Sequence, residues 1–267
     1  MKVLNKPKKS MGQNFLIDQN IIKKIIKIGN IDTDKKIIEI GAGYGSLTNN
    51  ILMKNPKKIY AIEKDKKISF FLKEKFKDFS NINIINEDIF KIIEKNNFGN
   101  NIIVFGNLPY NISTKILISL IMIKKWPPWY DHLILMFQKE VADRIIAKEK
   151  TKQFGRLSII ANWRLEIKKH FDISKNCFFP KPKVNSTLIS LKPKKKFHEL
   201  KSPKNLEMVT RILFSNRRKM INKNLKKLFK KDLSVAKLLN INLNSRPEEL
   251  SSDTYYKITK EFENLSS

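Results

Sequence analysis

The stretch EIGAGYGSLT, residues 39–48, decides the fold of this 267-residue chain. An apolar run, Ile37–Ile40, leads into it and has the length of a buried strand that stops at glycine. A helical pattern, Leu47–Met53, follows it. Glycines at such a junction let the backbone turn tightly and let a ligand come close to it. The stretch therefore predicts a strand, a ligand-binding turn and a helix.

Apolar runs alternate with helical patterns along the first two thirds of the chain. Further runs of strand length are Ile59–Ile62, Ile82–Ile85, Ile102–Phe105 and Leu133–Phe137. Strands that alternate with helices imply right-handed crossovers and a mostly parallel sheet. Two later segments, around Trp163–Phe171 and Val184–Leu191, are interpreted as strands that close the sheet, with antiparallel pairing left open. The predicted fold class is α/β, a Rossmann-like sheet with helices on both faces.

The composition changes after Leu191. The stretch KPKKK at 192–196 has the composition of a linker, and three amphipathic helical patterns follow it, at Leu206–Phe214, Met220–Phe229 and Val235–Leu239. Residues 192–231 contain fifteen Lys or Arg and two Glu, a net charge of +13. We expect two domains, a cofactor-binding domain over 1–195 and a small, basic, all-α RNA-binding domain over 196–267.

The charge of the whole chain favours a polyanionic partner. Lys and Arg number 54 against 25 Asp and Glu, so the net charge is +29. The lone cysteine, Cys177, excludes an internal disulfide framework and a cysteine-ligated zinc site. His132, His170 and His198 have no ligand spacing, so no metal is expected. No secretory signal and no spanning segment are recognised, which predicts a cytoplasmic protein with no membrane contact.

Two acidic residues follow the next predicted strands. Glu63 ends the second strand, where a carboxylate can accept hydrogen bonds from both ribose hydroxyls of an adenosine cofactor. Asp88 follows the third strand, within reach of an adenine edge. A dinucleotide would require a glycine at position 46, which is Ser46 here. S-adenosylmethionine has no pyrophosphate and also fits, so the residues leave both cofactors open.

The sequence Asn107-Leu108-Pro109-Tyr110 follows the fourth predicted strand, at the edge where open α/β sheets bind ligands. Adenine N6 is a poor nucleophile because its lone pair is delocalised into the ring. The Asn107 amide oxygen and a backbone carbonyl beside Pro109 can each accept one N6 hydrogen and hold the amine toward a methyl donor. Tyr110 offers a ring for stacking on the base. These residues predict methyl transfer to a planar nitrogen, accelerated by positioning and preorganisation.

Seven segments resemble the bacterial KsgA (RsmA) type of ribosomal RNA adenine N6,N6-dimethyltransferase, and the related Erm and Dim1 enzymes share much of this pattern. The segments are KSMGQNFL at 9–16, the glycine stretch at 41–48, NLPYNIST at 107–114, FQKEVA at 137–142, FGRLS at 154–158, FFPKPKV at 178–184 and FSNRRKMINKNLKKLF at 214–229. The resemblance spans almost the whole chain. It implies a Rossmann-like, S-adenosylmethionine-dependent methyltransferase domain followed by a small helical domain.

The resemblance also assigns site residues by motif match. The cofactor-contacting positions are Asn14, Leu16, Gly41, Glu63, Asp88 and Asn107. The catalytic positions are Asn107, Leu108, Pro109, Tyr110 and Phe178, the last as a second aromatic ring flanking the base. The doubled Phe178-Phe179 leaves open which ring stacks, and the spacing to Val184 favours Phe178. The RNA-binding positions are Arg217, Arg218, Lys219 and Lys223.

The implied activity is dimethylation of two adjacent adenines in the 3′-terminal hairpin loop of 16S rRNA. The implied partner is 16S rRNA within the immature small ribosomal subunit, and the implied state is a monomer without metal. Three alternatives stay open. An Erm-type enzyme would act on 23S rRNA, an N5-glutamine methyltransferase would use Asn-Pro-Pro-Tyr in place of the Leu108 motif, and an assembly factor would work mainly by binding pre-ribosomal particles.

Overall fold

The structure is a computed structural model that describes residues 13–95 and 98–265. Residues 9–12 of the resemblance and 1–12 of the predicted first domain lie outside the described residues. The strands are β1 Phe15–Leu16, β2 Lys36–Ile40, β3 Lys58–Ile62, β4 Ile82–Ile85, β5 Ile102–Asn107, β6 His132–Gln138, β7 Leu165–Ile173, β8 Phe178–Phe179 and β9 Ser186–Pro193. The helices are α1 Gln19–Gly29, α2 Ser46–Leu52, α3 Lys66–Lys75, α4 Ile89–Lys95, α5 Ser113–Ile121, α6 Lys139–Ile145, α7 Arg156–Arg164, α8 Pro203–Leu213, α9 Asn222–Leu228, α10 Ser234–Leu238 and α11 Ser252–Leu265.

Seven of the described strands form one sheet in the order β4-β3-β2-β5-β6-β9-β7. The pairs β2–β3, β2–β5, β3–β4 and β5–β6 are parallel, and β9 pairs antiparallel with β6. This arrangement confirms the predicted α/β fold class. One boundary was wrong: Trp163 lies in α7, and β7 begins at Leu165, because the apolar run continues from a buried helix into the strand and carries no signal of the change.

Both faces of the sheet are buried. Ile37 lies beside Ile103 on one face, and Ile38 lies beside Val104 on the other, since side chains alternate along a strand. All four side chains are buried, and the cluster on the first face includes apolar residues of α1, α2 and α3. Continuous apolar strands of this kind require cover on both faces, which is why the sequence shows unbroken isoleucine runs rather than alternation.

A second, two-stranded sheet fixes the segment that precedes α1. β1 pairs antiparallel with β8, with Phe15 opposite Phe179 and Leu16 opposite Phe178. The Ile17 N–H also donates to the Cys177 carbonyl, 2.9 Å away. This pairing joins parts of the chain that are about 160 residues apart and holds the start of the described chain in place.

The described chain divides into two compact units. The first contains the chain up to residue 120 with 127–142 and 168–193, and the second contains 121–126, 143–167 and the chain from 194 onward. The second unit therefore includes α7, which the predicted 196–267 range did not. The reason is that the Tyr256 hydroxyl donates to the Ile159 carbonyl at 2.9 Å and the Trp163 indole N–H to the His198 carbonyl at 2.8 Å.

No helix within 13–95 or 98–265 is long and apolar enough to cross a membrane. Over the same residues, no group of three or more His, Cys, Asp or Glu side chains is arranged to hold a metal ion.

Candidate active site

A cavity of about 230 Å³ lies at the carboxyl edge of the parallel strands, within the first unit. It is lined by predicted positions from five separate segments, namely Asn14, Gly41, Glu63, Asp88, Asn107, Leu108, Pro109 and Tyr110. The cavity holds several times the roughly 30 Å³ that one water occupies in the liquid. The fold therefore brings most of the sequence-assigned site residues around one space large enough for an organic ligand.

The glycine loop adopts conformations that favour glycine and uses its N–H groups internally. Gly41 has φ +73° and Gly43 has φ +55°. The N–H groups of Gly41 and Ala42 both donate to the Ile62 carbonyl, at 2.9 and 3.2 Å. The Gly43 N–H donates to Glu63 Oε2 at 3.0 Å. Because these donors already have protein acceptors, the loop does not form a cradle for a pyrophosphate.

Glu63 is a buried carboxylate at the end of β3. Its Oε1 accepts the Asp65 N–H at 2.8 Å, and its Oε2 accepts the Gly43 N–H. Burial raises the pKa of Glu63, and the N–H groups of Asp65 and Gly43 act in the opposite direction. Each oxygen accepts one of these bonds and retains a lone pair, so the group is placed and oriented to accept hydroxyl donors from the cavity.

Asp88 lies at the start of α4, on the cavity wall. Its Oδ1 accepts the Phe90 N–H at 3.0 Å, and its Oδ2 accepts Lys64 Nζ at 2.8 Å. The hydrogen bond from Lys64 is the main cause that lowers the pKa of Asp88. The carboxylate is therefore ionised and firmly placed, as a hydrogen-bond acceptor for an exocyclic amine must be.

The side-chain amide of Asn107 has a fixed orientation. Its Nδ2 donates to the Asn14 backbone carbonyl at 2.6 Å, and only the nitrogen of an amide can make that bond. The Asn107 oxygen is therefore the acceptor left for the cavity. The Pro109 carbonyl accepts the Ile112 N–H at 3.1 Å and closes the turn, so the Leu108 carbonyl is the better second acceptor.

Tyr110 lines the cavity, and its phenol group forms a hydrogen bond with the main sheet. The phenol oxygen lies 2.6 Å from Oγ of Ser186, the first residue of β9. Burial raises the pKa of Tyr110, so the phenol keeps its proton at neutral pH. The Ser113 hydroxyl donates to the Tyr110 carbonyl at 3.2 Å. Both ends of the residue are thus held.

Two of the residues assigned to the cofactor and catalytic sites do not line the cavity. Leu16 and Phe178 face each other across the β1–β8 pair and belong to the buried core cluster. Phe178 is 2% exposed, whereas its neighbour Phe179 is 61% exposed. The structure therefore places Phe178 in the core and leaves the Phe179 ring accessible.

Sequence reasoning did not assign several residues that line the cavity. These are Gln13, Phe15, Ile40, Gly43, Ile62, Lys64, Glu87, Ile89, Asn111, Ile112 and Ile116. Most of them are neighbours of assigned positions at strand ends. Ile62 and Ile89 could have been found because each lies next to an assigned acidic residue, and such apolar side chains suit the faces of a planar base.

One of the four basic positions assigned to RNA binding in the second unit differs from the other three. Arg217 Nε lies 2.6 Å from Glu248 Oε2, and its guanidinium also donates to the Lys152 carbonyl. Arg218, Lys219 and Lys223 are exposed, and none of them has an ion pair within the described part of the chain. Arg217 therefore has a structural contact, and the other three are the ones available to a phosphate.

The charged side chains that line the cavity favour S-adenosylmethionine over a dinucleotide, the two cofactors that the sequence left open. Glu63, Glu87 and Asp88 bring three carboxyl groups, and the one lining cation, Lys64, is paired with Asp88. A pyrophosphate would meet net negative charge, and the N–H groups of Gly41, Ala42 and Gly43 already have protein acceptors, whereas a sulfonium cation is compatible with the negative charge. Fold and site together define a Rossmann-like methyltransferase that uses an adenosine-containing methyl donor.

Comparisons with known proteins agree with this class. The family model described as ribosomal RNA adenine dimethylase matches residues 4–264. A protein of Pelagibacter ubique named ribosomal RNA small subunit methyltransferase A is 50% identical over 97% of this chain and 98% of its own. A dimethyladenosine transferase from Plasmodium falciparum is 26% identical with a TM-score of 0.79, over 94% of this chain and 98% of its own. The 23S rRNA methyltransferase ErmE is 19% identical with a TM-score of 0.67, over 94% of this chain and 100% of its own, and shares the fold.

The chain belongs to the ribosomal RNA adenine dimethylase family. This membership confirms the resemblance and the predicted enzyme class, an S-adenosylmethionine-dependent adenine dimethyltransferase. A methyltransferase of ribosomal RNA has ribosomal RNA as its substrate, in agreement with the net charge of +29. The assignments of individual site residues stay predictions.

Proposed function

We propose that the protein dimethylates N6 of two adjacent adenines in the 3′-terminal hairpin loop of 16S rRNA, late in small-subunit biogenesis. The observation that supports methyl transfer to N6 is the hydrogen bond from the Asn107 side chain to the Asn14 carbonyl, which leaves the amide oxygen as the acceptor toward the cavity. The name of the 50% identical relative supports the small subunit over the large one. A ribosomal substrate also supports a cytoplasmic location, and we propose action as a monomer.

The residues around the cavity fit S-adenosylmethionine. Glu63 would accept the ribose hydroxyls, Asp88 the adenine amine, and the Ile62 and Ile89 side chains would flank the base. Gly41 lies beside the catalytic loop, where its φ of +73° favours glycine and a Cβ would make an ordinary 3.7 Å contact with the Asn107 carbonyl oxygen. When bound, S-adenosylmethionine supplies a methyl group activated by a sulfonium charge.

The catalytic loop would hold the target amine. The Asn107 amide oxygen and the Leu108 carbonyl would each accept one N6 hydrogen, which directs the nitrogen lone pair out of the adenine ring. The Tyr110 ring would stack on the base and fix its plane. No side chain needs to act as a strong base, because an alkylated N6 is acidic and loses its proton readily. The gain in rate comes from positioning and from fixed dipoles.

Two alternatives remain as outcomes of the test. The Erm-like fold similarity does not decide the substrate, since proteins of one fold host different specificities. A binding role in ribosome assembly would survive the loss of methyl transfer. The Erm-type alternative differs from the proposal in which adenines become methylated. The binding role differs in predicting that subunit assembly continues when an Asn107 variant transfers no methyl group.

The experiment maps methylated adenines at single-nucleotide resolution after incubation with S-adenosylmethionine. The substrates are undermethylated small subunits, naked 16S rRNA and large-subunit rRNA. We expect two adjacent dimethyladenines near the 3′ end of 16S rRNA in the particle, and at saturating cofactor a loss of roughly 10²-fold or more for Asn107→Ala. Methylation of large-subunit RNA would support the Erm-type alternative, and full activity of Asn107→Ala would contradict the mechanism. Normal small-subunit assembly with a variant that transfers no methyl group would favour the binding role.

A further inference from the structure

The hydroxyl of Ser186 contacts the one aromatic ring of the catalytic loop. Ser186 is fully buried, and its Oγ lies 2.6 Å from the Tyr110 phenol oxygen. The two residues are 76 positions apart in the chain: Tyr110 lies in the loop after β5, and Ser186 begins β9. The contact therefore depends on the assembled sheet, and no local motif produces it.

The sheet fixes the position of Ser186. Ser186 opposes Gln138, the last residue of β6, in the antiparallel β6–β9 register. The preceding residue, Asn185, accepts the Lys139 N–H through its backbone carbonyl at 3.0 Å. The following residue, Thr187, donates through its hydroxyl to Asp172 Oδ1 at 2.7 Å. Ser186 is thus held on both sides, at the carboxyl end of β6.

The geometry of a tyrosine makes such an anchor effective. The phenol oxygen lies on the long axis of the ring, so a partner there fixes the direction of that axis while leaving the ring faces free. The other end of Tyr110 is held by the turn that Pro109 and Ile112 close. A ring held at both ends loses little further conformational entropy when a base stacks on it.

We infer that Ser186 is a positioning residue for methyl transfer: it holds the Tyr110 ring in the orientation that receives the target base. The inference rests on the proposed adenine methylation and extends it to a residue outside the catalytic loop. Stacking alone needs only the ring, which predicts that Tyr110→Phe retains much of the activity. The bond to Ser186 predicts instead a measurable loss on removing either hydroxyl.

The test compares Ser186→Ala, Tyr110→Phe and the double variant in methylation of undermethylated small subunits. We expect kcat to fall by about tenfold in each single variant, with KM for the particle and Kd for S-adenosylmethionine within about twofold of the wild type. The double variant should be no slower than the worse single variant, because both changes remove one interaction. Ser190→Ala is the matched control, since Ser190 is a buried serine of the same strand whose hydroxyl lies 2.8 Å from His170 Nε2.

The outcomes separate the inference from the proposed function. A wild-type protein that methylates no adenine overturns the proposed function itself. An active wild type with an unimpaired Ser186→Ala, or a double variant whose loss equals the product of the single losses, overturns only the role of Ser186. If Ser186→Ala does not fold, Tyr110→Phe decides alone, and full kcat in that variant overturns the inference.

Discussion

Thr48 donates a 2.6 Å hydrogen bond to the Glu39 carboxyl group at the buried junction between β2 and the glycine loop. Glu39 is almost fully buried and lies near Glu63. Burial is the main cause that raises the pKa of Glu39 to about 8. The carboxyl group therefore keeps its proton at neutral pH, and the acidic residue that opens the loop acts there as a neutral hydrogen-bonding group.

Glu39→Gln should stabilise the protein more at pH 8 than at pH 5. An unfolded Glu39 ionises near pH 4.5 and the folded one near 8, so its contribution is fully present below 4.5 and is lost as the pH rises through 8. Glutamine carries no ionisable proton, so its contribution does not change over this pH range. The effect of the substitution on the free energy of unfolding therefore differs between pH 5 and pH 8, by a few kcal/mol at most. Thermal unfolding of both proteins at the two pH values measures it, with the exposed Glu74→Gln as control. An equal difference in Tm at both pH values would contradict the raised pKa.

Glu63→Ala should weaken S-adenosylmethionine binding by about 10- to 100-fold, because a hydrogen bond to a charged group contributes about 1.5–3 kcal/mol. The carboxylate is held by the N–H groups of Gly43 and Asp65, so it is already oriented before the ligand arrives. Titration calorimetry gives the affinity. Glu74→Ala, an exposed carboxylate in the same unit, is the control, and an unchanged affinity of Glu63→Ala would remove Glu63 from the cofactor site.

The sequence predicted most of the main sheet because buried parallel strands are short, unbroken apolar runs. Ile102–Phe105 and Ile59–Ile62 fall inside β5 and β3 for this reason. The boundary at Trp163 was wrong because a buried helix and a buried strand share the same apolar composition. The pairing of β1 with β8 carries no local signal, since each strand has two residues and finds its partner only in the folded chain.

The residues of the site likewise include some that a local pattern predicts and others whose contacts form only in the folded chain. Glu63 and Asp88 were found because the ends of parallel strands meet at one edge of the sheet. The contacts of Ser186 with Tyr110 and of Glu248 with Arg217 were not predicted, because each joins side chains tens of residues apart in the chain. The burial of Phe178 also depends on β8, whose register alone decides which of two adjacent rings enters the core.

Asn107→Asp should lose as much methyl transfer as Asn107→Ala, roughly 10²-fold or more. Aspartate has the shape of asparagine but no N–H, so it cannot donate to the Asn14 carbonyl, and its charge is repelled by that oxygen. Rates are measured at saturating S-adenosylmethionine, so that a change in cofactor affinity does not enter. Asn83→Asp, at an exposed position of β4 that does not line the cavity, is the control. A near-normal rate for Asn107→Asp would show that the bond to Asn14 does not orient the amide for catalysis.

Neutralising Arg218, Lys219 and Lys223 together to glutamine should weaken RNA binding and leave S-adenosylmethionine affinity unchanged. These side chains are exposed, so each is free to contact a phosphate and release a counterion. Each lost contact should flatten the log–log dependence of affinity on salt by about 0.7–0.9 units. The affinity is measured as a function of salt concentration with a 3′-terminal 16S rRNA hairpin.

The control for this test removes the same charge elsewhere. Lys54, Lys57 and Lys77 are exposed and lie in the connections that lead into β3 and β4, at the sheet edge opposite the cavity. Glutamine at these three positions should lower the affinity slightly through net charge and leave the salt slope within experimental error. Arg217→Gln should behave differently again, lowering Tm because it breaks the contact with Glu248. Equal slopes for the two triple variants would show that Arg218, Lys219 and Lys223 form a solvated face and that RNA is held by another surface.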